Sequence, residues 1–224
     1  MFSYTILKRK MKYVNISSIE NHSQKYGGIM STETLSYFLK NNDQRLRLGF
    51  QIVLQCAPLL KGLKVSCVIS VGAELYDRLA EMFSDMNISY RRLSCSEGRC
   101  LVLFYRPEEL EKYLKEPGVY ELIQKYGYTD MCLDRVLEHL TDRIRQFARR
   151  GMGFPHEIGV FLGYPLNDVK GFIENAGQRY LMIGYWKVYS NPAGARMVFK
   201  EYDRAKNCAV NEFLTGKSIR EIAL

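Results

Sequence analysis

Between Ser89 and Tyr105 the chain reads SYRRL, then SCSEGRC, then LVLFY. Two β-prone runs separated by a short polar segment that contains Gly98 read as a hairpin. Antiparallel strands can be joined by so short a connection, whereas parallel strands need a crossover of a dozen or more residues. Whatever else the chain does, it contains at least one antiparallel pair, with Leu101–Tyr105 as a strongly apolar return strand.

The rest of the chain is mostly helical in pattern. Ser31 caps a first helix with Leu35, Phe38 and Leu39 on one face, interrupted at Asn41-Asn42-Asp43. Leu46, Phe50, Val53, Leu54 and Ala57 recur at helical spacing, with Cys56 in the last turn and Pro58 as the stop. Leu63 to Val71 is β-branched and short, a buried strand, and Ala73 to Met86 is amphipathic. After the hairpin, Arg106-Pro107 opens a helix with Glu108 and Glu109 at its positive dipole end. Pro117-Gly118 breaks it, and a second piece covers 119–126. Residues 130–150 form a long helix, apolar through Leu133, Val136, Leu137, Leu140, Ile144 and Phe147. Pro155 starts another helix reaching Gly163, Tyr164-Pro165 turns the chain, and Leu166 to Asn175 is helical until Gly177. Tyr180 to Tyr189 is an aromatic strand, Asn191-Pro192 opens a helix to about Leu214, and Ser218 caps a last short one. About four strands among about eight helices define an α+β fold, a small mixed sheet with one hairpin surrounded by helices.

With 224 residues, 47% of them hydrophobic and 12% aromatic, the chain can bury a sizeable core. It divides into a basic, weakly ordered leader at 1–29 and a single domain at 30–224. Met1, Met11 and Met30 all read as plausible starts. The net charge of +8 permits an anionic partner, although Lys8, Arg9, Lys10, Lys12 and Lys25 place much of it in the leader. No apolar run approaches the roughly 20 residues that cross a bilayer. The opening MFSYTILKRK lacks the order of a secretory signal, so the expectation is a cytoplasmic protein without a membrane partner. The six cysteines show no paired metal spacing and read as reduced thiols. Cys95 and Cys100 flank the hairpin turn and are near enough for a labile disulfide, with two free thiols the expected state.

Cys56-Ala57-Pro58, Gly62-Leu63-Lys64, Tyr105-Arg106-Pro107 and above all FPHEIGVFLGYPLNDVKGFIEN with GYWKVY resemble the bacterial domain-of-unknown-function family numbered 3793, over roughly residues 31 to 224. The resemblance implies one intact domain in a bacterial cytosol. It draws attention to Cys56 and the Phe154-Pro155-His156-Glu157 block, and it implies no activity, substrate or cofactor.

Several constellations carry chemistry. His156 at a helix N-terminus is pushed toward its neutral, basic form, and Glu157 is favoured there as a carboxylate. A thiol such as Cys56, brought near, would be activated by that imidazole. His156 bonded to a loop carbonyl and Glu157 as a mere helix cap is the plain alternative. A lone His-Glu pair is no metal site. No Gly-rich phosphate loop follows the first strand, so neither nucleotide fingerprint applies and no cofactor is named. The leading reading is a small-molecule-binding domain with thiol chemistry at Cys56, His156 and Glu157, its ligand against Tyr164, Tyr185, Trp186 and Lys187. An anion could meet Arg143, Arg145, Arg149 and Arg150. A nucleic-acid partner is the alternative: Ile158 to Ile173 has helix-turn-helix spacing. Its second helix offers Asn167, Asp168, Lys170, Gly171 and Glu174, nearly neutral where phosphate contact needs Lys and Arg. A non-catalytic adaptor using the leader or the arginines is the third reading.

Overall fold

The computed structural model describes residues 36–38, 40–150 and 153–223, with Arg150 described through its backbone alone. The 1–29 leader, its alternative starts and the Ser31 cap lie outside the described residues. The fold is α+β as expected, with helix predominating over strand.

Helix α1 (Gln44–Leu60) begins where Asp43 accepts hydrogen bonds from the Arg45 and Leu46 amides. The polar interruption read at 41–43 is therefore a cap, supplying acceptors to amides that have no intrahelical partner. Pro58 does not stop α1. It stands in the last turn, where its missing N–H costs a single bond and the helix still reaches Leu60. Strand β1 (Ser66–Gly72) follows, then a 3-10 turn at Ala73–Leu75 and a short helix α2 (Arg78–Met82). The hairpin comes next, β2 (Ser89–Ser96) and β3 (Arg99–Tyr105). Helices α3 (Pro107–Leu114), α4 (Pro117–Gln124) and α5 (Leu133–Arg150) lead to α6 (Ile158–Phe161) and α7 (Leu166–Glu174). Two-residue strands β4 (Met182–Ile183) and β5 (Lys187–Val188) precede α8 (Pro192–Leu214) and α9 (Ile219–Ile222).

The main sheet has order β1-β3-β2 and is antiparallel throughout. Because strand side chains alternate between faces, the sheet feeds two cores. Cys67, Ile69, Val71, Cys100, Val102 and Phe104 face α1, the end of α8, and α9. Val68, Leu101, Leu103 and Tyr105 face α3 to α7. The central strand β3 is buried almost throughout, which its unbroken apolar run had signalled. A third, smaller core joins Trp186 and Val188 to Ala195, Phe199 and Tyr202 of α8.

Three further expectations change. The segment 180–189 is two short strands of a separate antiparallel sheet, not one strand. Gly184 lies between them, and its amide donates to the Trp186 carbonyl at 3.1 Å, folding the segment back on itself. The hairpin connection shrinks to Glu97-Gly98, both at positive φ (51° and 70°), the backbone of a two-residue type I′ turn. That tighter turn sets Cys95 directly across from Cys100, and the two are joined by a disulfide rather than standing as free thiols.

Candidate functional site

Cys56 lies on the inner face of α1, 1% exposed, and points at the start of β1. Its neighbour there is Cys67, which faces the same core because it shares the inward alternation of Ile69 and Val71. The Cys56 thiol is hydrogen-bonded to Cys67, and Lys64 stands beside both sulfurs. Burial pushes the Cys56 thiol well above its ordinary range, and the neighbouring sulfur adds to this. Cys67 goes the other way. The hydrogen bond from Cys56 holds its thiol below the usual range, helped by the Lys64 charge and opposed by burial. Burial also lowers Lys64, against the attraction of the two sulfurs. As a thiol, Cys67 donates to the Gln55 carbonyl at 3.3 Å; as a thiolate it accepts from Cys56.

Lys64 ties the thiols to an aromatic cluster. Its ammonium lies 5.1 Å from the centre of the Tyr164 ring and 5.9 Å from that of Tyr202, within the range of cation–π attraction. Tyr164 stacks on Trp186 with ring centres 5.5 Å apart, and Trp186 meets Phe199 edge-on at 4.5 Å. Gly163, just before Tyr164, adopts φ 66° and packs on Val65, a side-chain methyl of which would lie 3.0 Å from a Cβ there. Burial raises the Tyr164 phenol, with Cys67 as the next cause, and raises Tyr202 to about 12. Cys56, Tyr164 and Trp186 thus belong to one neighbourhood, through Cys67 and Lys64. Tyr185 stands at its margin, donating its hydroxyl to Asp203 at 2.7 Å. Lys187 turns elsewhere, to the Gly177 carbonyl at 2.7 Å.

His156 and Glu157 are packed in the layer on the other side of the sheet. The His156 ring lies against Phe154 and Phe172, each 5.2 Å away between centres. Glu157 is fully buried and accepts hydrogen bonds from the Tyr128 hydroxyl at 3.2 Å and from Arg143. Arg143 also lies 5.4 Å above the Tyr126 ring. Arg145 approaches Asp142 at 3.7 Å, and Arg149 is exposed. Two members of the arginine cluster are therefore engaged with carboxylates of the chain itself.

The helix-turn-helix segment has a first helix of a single turn, Ile158–Phe161. The second, α7, presses Gly171 against Tyr189, where a Cβ would lie 2.6 Å from the Tyr189 Cβ. Asn167 and Glu174 are exposed, while Asp168 is buried.

Sequence reasoning missed Cys67 and Lys64 as site members. The signal was available for Cys67: a strand that starts just after the Lys61-Gly62 turn runs back along α1, and inward alternation from Ile69 passes through position 67. It was absent for Lys64, because nothing local says that a lysine at a strand entrance turns toward sulfur.

An α+β chain with a largely buried dithiol–lysine–aromatic cluster at a sheet edge is the class that fold and site define. The chain belongs to the family described as Protein of unknown function (DUF3793), whose model matches residues 52–223. No curated protein and no solved structure matches it. No helix among the described residues is long and apolar enough to cross a membrane.

Proposed function

We propose that the protein is a small-ligand-binding domain that captures a soft electrophile at Cys67. The observation that carries this reading is the packing of Cys56 and Cys67 in one core beside Lys64, whose ammonium also lies over the Tyr164 ring. The thiolate, not the thiol, is the nucleophile, and a neighbouring donor and cation favour it. Cys67 supplies the electron pair for a new sulfur–carbon bond to an activated alkene. The alkene's π electrons move to the adjacent carbon, which takes a proton from Cys56 or from the Lys64 ammonium. Addition releases no leaving group and needs no second reactant. Tyr164, half-buried against Trp186, offers a ring to a flat ligand. Cys56 thereby changes from the nucleophile expected from the sequence to the hydrogen-bond donor of another thiol. Its raised ionisation favours that protonated role.

The test is the pH dependence of modification by a small maleimide, read at each cysteine by mass spectrometry. Cys67 reaches half its maximal rate at a lower pH than exposed Cys132 and Cys208. Cys56→Ala and Lys64→Met each move that midpoint upward. A Cys67 midpoint at or above those of the exposed thiols, or no reaction in the folded protein at any pH, ends the proposal.

A further inference from the structure

A second sulfur pair stands at the opposite end of β1. Cys67 is level with Phe104 near one end of the β1–β3 ladder, and Val71 is level with Cys100 near the other. Across the turn Glu97-Gly98, Ser96 faces Arg99, and the next pair outward is Cys95 with Cys100. The pair that closes a two-residue turn exchanges backbone hydrogen bonds, so the next pair is of the other kind, with its side chains closest together. The register itself brings the two sulfurs into reach.

As a stabilising staple this bridge does little. Its cysteines are five positions apart, and a cross-link that closes so short a loop removes less entropy from the unfolded chain than one closing a long loop. The type I′ turn and the ladder of β3 with both its neighbours already hold the hairpin, and the Gly98 carbonyl accepts the Ala73 amide at 2.9 Å. The two sulfurs are also unequal in access. Cys95 is exposed, while Cys100 is 2% exposed and belongs to the core with Val71 and Val102. A bridge between one exposed residue and one core residue, with a register that returns them to each other, suits making and breaking better than permanence.

We infer that Cys95–Cys100 is a thiol–disulfide exchange site for a low-molecular-weight thiol of the glutathione class. The incoming thiolate attacks the sulfur of Cys95, the exposed residue of the pair, a new sulfur–sulfur bond forms there, and the Cys95–Cys100 bond breaks. The electron pair leaves with Cys100, which takes a proton from solvent. A second thiol attacks the mixed disulfide, releasing Cys95 as a thiol and the small molecule as its disulfide. Two electrons and two protons have entered the hairpin. In reverse, Cys95 attacks the small disulfide, and Cys100, held opposite, displaces the small thiol. Cys95 is the residue that carries the adduct, and Cys100 resolves it.

The experiment equilibrates the full chain with reduced and oxidised glutathione at stepped ratios, blocks free thiols in acid and weighs the peptide spanning both cysteines. The wild-type pair converts reversibly and completely between bridge and dithiol within the range of ratios. Cys100→Ser accumulates one glutathione on Cys95, and Cys95→Ser leaves Cys100 unmodified while exposed Cys132 and Cys208 react. A bridge that survives the most reducing ratio in the folded wild-type protein overturns the inference, as does a pair that never oxidises. Equal glutathione uptake by Cys100 in Cys95→Ser also overturns it. The wild-type titration decides the matter even if a variant fails to fold, and none of these readouts involves Cys67.

Discussion

The indole N–H of Trp186 is donated to one carboxylate oxygen of Asp168 at 2.7 Å, and both residues are buried. The other oxygen of Asp168 accepts the Tyr189 amide at 2.8 Å, and the Ser190 amide and hydroxyl at 2.9 Å each. One side chain from the start of α7 thus satisfies four donors of the 186–190 segment and fixes Trp186 under Tyr164. Buried polar groups are tolerated where they are bonded, and the cost falls on whichever donor is left alone.

Replacing Asp168 by alanine orphans the Trp186 N–H in an apolar setting. The expected loss is about 3 kcal/mol of folding stability, seen as a lower urea midpoint. Asp168→Asn recovers part of it, since the amide carbonyl serves the Tyr189 and Ser190 donors but its NH2 then faces the indole N–H. A variant with unchanged stability would deny Asp168 this role.

Glu157 and Arg143 form a pair in which the carboxylate is fully buried and the guanidinium partly exposed. Removing one partner of a buried pair leaves an uncompensated charge, costing about 3–5 kcal/mol. Arg143→Ala sits at the low end or below it, because solvent reaches the guanidinium side and screens the interaction. Glu157→Gln is milder, because a neutral amide can still accept from Tyr128. A double-mutant cycle between Glu157→Gln and Arg143→Ala by urea denaturation gives the coupling, and additive losses would contradict the pairing.

Alkaline stability follows from the buried phenols. Burial is the main cause raising Tyr113 from its ordinary 10.0 to about 12, with Glu116 adding to it. Tyr202 is raised to about 12 by burial alone. The unfolded chain releases these protons near pH 10, while the folded chain keeps them. Stability from both groups is therefore fully present below pH 10 and is lost progressively as pH rises toward 12. Urea unfolding at stepped alkaline pH shows the decline, and the double variant Tyr113→Phe with Tyr202→Phe makes it shallower. An equally steep decline in that variant would assign the effect elsewhere.

Gly184 is where the small sheet meets α8. A Cβ there would collide with the Phe199 ring, so Gly184→Ala forces Phe199 or the β4–β5 turn to move. Overpacking of this kind costs about 1–3 kcal/mol. The variant should also change Trp186 fluorescence, because Phe199 packs edge-on against the indole. Gly98→Ala meets no neighbour, so it tests φ alone.

Local patterning carried most of the elements. Strand alternation, first-turn prolines and the Glu97-Gly98 turn are decided within a few residues, so the hairpin, the apolar face of α5 and the start of α8 were legible in the sequence. The aromatic segment was misread as one strand because Gly184 acts through a ring fifteen positions away. Cys56, Tyr164 and Trp186 were legible as residues of interest by type alone, but their linkage through Cys67 and Lys64 was not.

The sequence by itself determined an α+β chain with an antiparallel pair and two sets of inward side chains, because periodicities of 2 and 3.6 are local properties. The tertiary structure decided which functional groups meet. It set Cys56 against Cys67, Glu157 against Arg143 and Asp168 under Trp186. It also turned Cys95 and Cys100 into a bridge. Each pairing depends on how separate elements cross and in what register, and free energies of burial and hydrogen bonding between distant segments leave no periodic trace in the chain.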